Sequence, residues 1–163
     1  MMPSPPKERS TLDRALWLLS IRTRSVSELK SKLSARGFSP KAIEDAINCL
    51  SEKGFLNDET YSREICASRL RLKKWGRLKI AAELRAKGVC EETAKNTISQ
   101  IDEDEEIIAA LHWLGKWLKR TDSGLSTDAK ERARAYRYLF AKGFTDEVIK
   151  KAMRKTTEGN EGG

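Results

Sequence analysis

Apolar residues recur along this chain at intervals of three and four, the period of a helix that lays one face on a core. Leu12, Ala15, Leu16, Leu19 and Ile21 form the first stripe, Leu29 and Leu33 the second, and Ile43 and Ile47 the third. The pattern resumes with Tyr61, Ile65 and Leu72, with Ile80 and Leu84, and with Ala94 and Ile98. Ile107, Leu111, Leu114 and Leu118 carry it further, and Ile149 and Met153 close it. No long alternating run of Val, Ile and Thr interrupts it, and no Asn-Gly hairpin signal. The predicted fold class is all-α.

The stripes are punctuated by one phrase written three times: LSARGF at Leu33–Phe38, LRAKGV at Leu84–Val89 and LFAKGF at Leu139–Phe144. A left-handed Gly commonly ends a helix, and the apolar residues on either side of such a stop pack together. Gly37, Gly88 and Gly143 are therefore read as structural caps, as is Gly54 in the related LSEKGF. Arg36, Lys87 and Lys142 fall beside the exposed carbonyls, where a cation is favoured. Helix starts follow at once, at Ser39-Pro40 and at Thr145-Asp146-Glu147, and Glu91 and Glu92 suit a start after Cys90, itself a poor cap. Ser25-Val26-Ser27-Glu28 reads as a capping box and Asp58 as the cap of a long helix.

After each Gly the core positions correspond: Ile43, Ala94 and Ile149, then Ile47, Ile98 and Met153. The chain is thus predicted to be three tandem three-helix, helix-turn-helix-like repeats over 11–57, 58–101 and 102–155, with a flexible N-terminus at 1–10 and a flexible tail at 156–163. Modules of this size bury little core alone, so neighbours are expected to stack. The Arg120–Asp128 stretch, RTDSGLSTD, is a longer loop that widens the second Gly-to-Gly spacing.

Charge narrows the class of partner. Among 163 residues, 32 Lys and Arg outnumber 24 Asp and Glu, a net charge of +8 that favours an acidic partner such as nucleic acid. Cys49, Cys66 and Cys90 show no C-x-x-C spacing and His112 is the lone histidine, so a zinc site is not indicated. The three thiols read as buried and reduced, in keeping with a cytoplasmic protein. The longest apolar run, Ala15–Leu19, is too short to span a bilayer, and MMPSPPKERS has no apolar signal region. Neither a phosphate loop nor a dinucleotide fingerprint occurs, and no catalytic set is apparent. The chain is read as a non-enzyme without a cofactor. Asp102–Glu106 reads as a solvated helix start, His112 as a packed or surface residue, and Trp17, Trp113 and Trp117 as packing residues.

RLRLKKWGRLK at Arg69–Lys79 holds six basic residues, no acid and one aromatic. Arg69 and Lys73 can share a helix face; Arg71 cannot join them. Lys74, Trp75 and Arg77 flank the Gly76 turn. Arg69, Arg71, Lys73, Lys74, Trp75, Arg77 and Lys79 form the candidate partner or nucleic-acid site, set against the plainer reading of a solvated helix end. Trp75 is the tryptophan assigned to a partner.

In order and spacing, SVSELKSKL…RGF, KGFLNDETY and KKWGRLKIAAELRAKGV, on tandem three-helix modules, resemble the RecX family of regulators of the RecA recombinase. The resemblance spans Leu12 to Arg154. It implies an elongated, curved array of three repeats, a monomer that lies in the groove of the RecA–DNA filament across protomers. It further implies inhibition of strand exchange, ATPase and coprotease activity in DNA repair and the SOS response, weak binding to single- or double-stranded DNA, and no cofactor. Asn57 stands where the family usually has the first of two acids, Lys74 where it often has Gly, and Arg77 where it often has Pro. A general DNA-binding helix-turn-helix repeat protein is the alternative. Against it, the second and third recognition-helix starts, EETAKN and DEVIKK, are acidic where a phosphate would approach.

Overall fold

Ser10 opens the first helix by accepting the Asp13 N–H on its hydroxyl, and the same local logic sets most of the boundaries that follow. The structure, a computed structural model, describes residues 10–121 and 128–160. Among these residues every element is a helix and no strand occurs. The first repeat holds α1 (Thr11–Ile21), α2 (Val26–Ala35) and α3 (Pro40–Glu52); the second holds α4 (Asp58–Lys73), α5 (Arg77–Ala86) and α6 (Glu91–Ser99); the third holds α7 (Glu103–Thr121), α8 (Ala129–Ala141) and α9 (Asp146–Asn160).

Ser25 and Glu28 close the expected capping box on α2, and Ser39 caps α3 with Pro40 in its first turn. Gly37, Gly54, Gly88 and Gly143 have φ of +87°, +76°, +75° and +92°. The Phe38 N–H reaches the Leu33 carbonyl, the Phe55 N–H that of Leu50, and the Val89 N–H that of Leu84. These bonds satisfy carbonyls that a helix end would leave open.

The cap of α4 differs from the expectation. Asn57, not Asp58, accepts the Glu59 and Thr60 N–H groups, at 2.9 and 3.1 Å. A side chain must stand just outside the first turn to reach those donors, and Asp58 is already inside it. The carboxylate of Asp58 is free to accept the Val26 N–H instead, at 2.9 Å. Helix α9 continues to Asn160, so 156–160 are helical, and 161–163 lie outside the described residues. Of the N-terminal segment only Ser10 is described. Of the long loop, Arg120 and Thr121 belong to α7 and Asp128 caps α8, while 122–127 lie outside the described residues.

The chain divides into two compact units. One comprises the described residues up to Arg63 with Leu84–Ala94; the other comprises Glu64–Glu83 with the described residues from Lys95 onward. In the first, α1, α2 and α3 pack pairwise around Ala15, Leu18, Leu29, Leu33, Ile43, Ile47, Leu50 and Leu56. In the second, α7, α8 and α9 pack pairwise, and Ile107, Leu114, Leu139, Phe144, Val148 and Ile149 are buried.

Both units contain the same joint. In the first, the helix stop at 84–89 seats on the start of α2. The Ser25 hydroxyl donates to the Lys87 carbonyl at 2.5 Å, and a Cβ on Gly88 would fall 2.3 Å from the Ser27 side chain. In the second, the helix stop at 139–144 seats on the start of α5. The Gly76 N–H donates to the Lys142 carbonyl at 3.0 Å and the Leu78 N–H to the Gly143 carbonyl at 2.9 Å. Gly76 is required here by close approach: a Cβ would meet the Gly143 carbonyl at 2.3 Å. Each joint is completed by an acid from the first turn of the next repeat, which accepts the first N–H of the middle helix. Asp58 does this for Val26 and Glu106 for Arg77, the latter at 2.8 Å.

Candidate functional site

The second joint brings two tryptophans and a set of lysines together. Helix α4 ends at Lys73, and Lys74 follows with φ +54°. A non-Gly residue in this region costs on the order of 1 kcal/mol, and such strain persists where surrounding contacts hold it. The contact is Trp113, whose indole Nε1–H donates to the Lys74 carbonyl at 2.7 Å. Trp75 then projects beside the turn with three cations around its ring. The Lys79 and Lys73 Nζ atoms lie 4.4 and 4.9 Å from its centroid, and the Arg69 guanidinium 5.8 Å.

Trp113 holds a second group. Lys142 Nζ lies 4.0 Å from its centroid and Lys116 Nζ 5.0 Å. The ring of Tyr138 meets Trp113 edge-on at 6.3 Å, with Arg120 and Lys142 at 5.5 and 5.2 Å from the tyrosine centroid. Burial first, then the charges of Lys79, Arg120 and Lys116, push the Lys142 ammonium below its ordinary value. His112, edge-on to Trp113, is lowered likewise by burial and then by Lys116 and Lys74. The acids nearby, Glu83 and Glu106, are taken by arginines, and among the described residues the lysine ion pairs lie elsewhere, at Lys30, Lys87, Lys150 and Lys151.

The seven residues singled out in Arg69–Lys79 therefore separate. Lys73, Lys74, Trp75 and Lys79 join the patch. Arg69 touches its edge, but its guanidinium is engaged by Glu83, with Nε 2.6 Å from Oε2. Arg71 turns to Glu105 at 3.5 Å across an exposed surface. Arg77 turns inward: its Nε donates to Glu106 at 2.6 Å, and the Glu106 side chain is 0% exposed. This corrects the reading of Asp102–Glu106 as a wholly solvated start. Asp102 does cap α7, accepting the Glu105 N–H, but Glu106 is one helical turn on and faces inward.

Trp113 is likewise only half-buried and belongs to the patch, whereas Trp117 is buried and half-buried Trp17 stacks under Arg14. The sequence reading missed Trp113, Lys116, Arg120, Tyr138 and Lys142. Their spacing carried a signal: Trp113, Lys116 and Arg120 share one face of α7, and Lys142, the C-cap of α8, follows Tyr138 by four residues.

The thiols differ from one another. Cys66 is buried, and that burial, aided by Glu83, pushes it up to about 11. Cys49 is half-buried. Cys90 is exposed, contrary to expectation, because it stands at the cap of α6 and bonds Thr93 at 3.2 Å. Among the described residues no three of His, Cys, Asp or Glu gather as a metal site, and no helix is long and apolar enough to cross a membrane. What the patch can offer is positive charge beside aromatic faces, the footprint of an anionic partner.

The comparisons with known proteins agree over most of the chain. Profiles of the first, second and third three-helix domains of RecX match residues 12–55, 57–98 and 103–153. The regulatory protein RecX of Pelodictyon phaeoclathratiforme is 36% identical over 140 residues, 86% of this chain and 84% of that protein. The regulatory protein RecX of Chromohalobacter salexigens is 34% identical over 152 residues, 93% of this chain and 96% of that protein. The crystal structure of RecX from Lactobacillus salivarius superposes with a TM-score of 0.83 over 90% of this chain and 94% of the other, at 19% identity. A second RecX crystal structure gives 0.78 over 87% of this chain and 70% of the other.

Proposed function

Since the chain belongs to the RecX family of regulatory proteins, we propose that it regulates the RecA recombinase by binding the RecA–DNA filament. In this reading it lies in the filament groove across neighbouring protomers, and it mostly inhibits strand exchange, ATPase and coprotease activity. The observation that carries the proposal is the match to all three RecX domains in order. A long groove with repeated sites suits a repeat protein, because several modules engaging at once multiply weak contacts. The crowded cations around Trp75 and Trp113 suit a filament that carries phosphates. We place the protein in the cytoplasm as a monomer with weak affinity for free DNA, acting by occupancy rather than by catalysis.

The test is the DNA-dependent ATPase of RecA on single-stranded DNA, titrated with this protein, with strand exchange measured in parallel. Both activities should fall at protein concentrations below that of RecA. Unchanged activity up to a several-fold excess would overturn the proposal.

A further inference from the structure

The two joints share one geometry but differ in one charge, and that difference points to a ligand. Ser25 and Gly76 occupy the same place, just before α2 and α5, and so do Lys87 and Lys142, whose carbonyls receive the bonds from them. The third helical residue is then Glu28 in the first joint and Lys79 in the second. In the first joint Glu28 accepts the Lys87 ammonium at 3.2 Å and is also held by Arg22. The ion pair is internal, so Lys87 has its counter-charge. In the second joint the equivalent residues are two lysines, and a Cβ on Gly143 would fall 2.4 Å from the Lys79 Cβ. Among the described residues no carboxylate pairs with Lys79 or Lys142, so the counter-charge of the first joint is not repeated in the second.

Lys79 is costly for the fold at this place. It stands in the first turn of α5, where the helix dipole disfavours a cation, and it stands next to another lysine. An acid here would relieve both penalties, as Glu28 does. We infer that Lys79 and Lys142, with Lys73, Lys74 and Lys116 beside them, form a binding site for the phosphodiester backbone of nucleic acid, whose phosphate supplies the missing counter-charge.

The chemistry of the cations favours phosphate over a protein carboxylate. Where this chain holds its own carboxylates near the patch it uses arginines: Arg69 on Glu83 and Arg77 on Glu106. A guanidinium fork suits a carboxylate, whereas compact ammonium groups act as point charges and bind phosphate oxygens from several directions. The Trp75, Trp113 and Tyr138 rings face the lysine ammonium groups, which lie 4.0 to 5.2 Å from ring centroids.

This inference specifies one contact within the filament-binding reading, and its binding test uses no RecA, so that the two can fail separately. Binding of the full chain to a fluorescent single-stranded oligonucleotide and to its duplex is measured against salt, alongside thermal unfolding. Lys142→Gln should lower the salt slope by about 0.7 to 0.9, one phosphate contact. Lys79→Glu should lower it by up to about twice that, while raising the melting temperature by about 1–3 °C as the Glu28–Lys87 pair is recreated. Opposite signs for stability and affinity in one variant are the expected signature. The arm whose slope change comes nearer to its own value for one contact, about 0.7 for single strand or about 0.9 for duplex, identifies the source of the phosphate. Lys79→Gln, which adds no acid, provides the same binding readout should Lys79→Glu misfold. Parental affinity and slope in Lys79→Gln and Lys142→Gln would overturn the site. If both bind DNA as the parent does yet inhibit RecA less, the lysines contact protein and the phosphate assignment is wrong.

Discussion

Arg77→Ala tests whether this arginine is a strut of the fold or a contact for a partner. Its Nε donates to Glu106 at 2.6 Å; the Glu106 side chain is fully buried and that of Arg77 is 26% exposed. Removing one member of a buried pair leaves a charge without its partner, a loss of about 3–5 kcal/mol. The backbone N–H of Arg77 still reaches Glu106 and the outer guanidinium is partly solvated, so the low end applies, about 3 kcal/mol. For a chain of this size each kcal/mol moves the midpoint by about 2–4 °C. Thermal unfolding followed by circular dichroism should therefore show a drop of about 6–12 °C, little reduced in high salt because the pair is screened from solvent. The double variant Arg77→Met with Glu106→Leu should recover most of it. It should remain about 1 kcal/mol short, because the first N–H of α5 loses its cap. A melting point for Arg77→Ala within about 2 °C of the parent would refute the strut and return Arg77 to the surface patch.

Two further expectations rest on the first joint. Gly88→Ala should cost about 2–3 kcal/mol against about 1 kcal/mol for Gly37→Ala, because both have positive φ but only Gly88 faces Ser27; equal losses in denaturant unfolding would show that the 84–89 turn does not seat there. Burial raises Glu28, but bonds from Arg22, Lys87 and the Ser25 N–H outweigh it and hold the carboxyl down at about 2 from an ordinary 4.5. Its stabilisation should be complete above about pH 4.5 and disappear as pH falls toward 2, on the order of 1–2 kcal/mol after solvent screening. Glu28→Gln should flatten the melting curve against pH over that window, and an unaltered acid limb would remove Glu28 from the joint.

What could be read from the sequence was what short-range physics decides. A left-handed Gly, a Ser one residue before a helix and an apolar residue every third or fourth place act through neighbours within about six residues, so the stops at Gly37, Gly88 and Gly143 stand out in one dimension. What could not be read was where a charge points. Glu106 sits in a run of acids that looks uniform, yet Asp102 caps its own helix while Glu106 reaches back to Arg77, 29 residues earlier. Arg77 looks like one more cation in a basic stretch for the same reason. Trp113 looks apolar between His112 and Leu114, and only the turn at Lys74, whose carbonyl it binds, reveals its polar edge. The Asn57 departure was legible but misjudged, since Asn caps as well as an acid does.

A repeat protein supplies its own comparison for such cases. The joint is built twice from one chain, so a charge present in both copies is explained by the joint, and a charge present in one needs another cause. The acid on the first N–H of the middle helix occurs in both, as Asp58 and Glu106, and so belongs to the fold. The residue at the third helical position does not: Glu28 neutralises Lys87, whereas Lys79 adds to the positive charge around Lys142. Stability alone would favour the acid at both. A cation kept where the fold gains nothing from it is the feature most economically explained by something outside the chain.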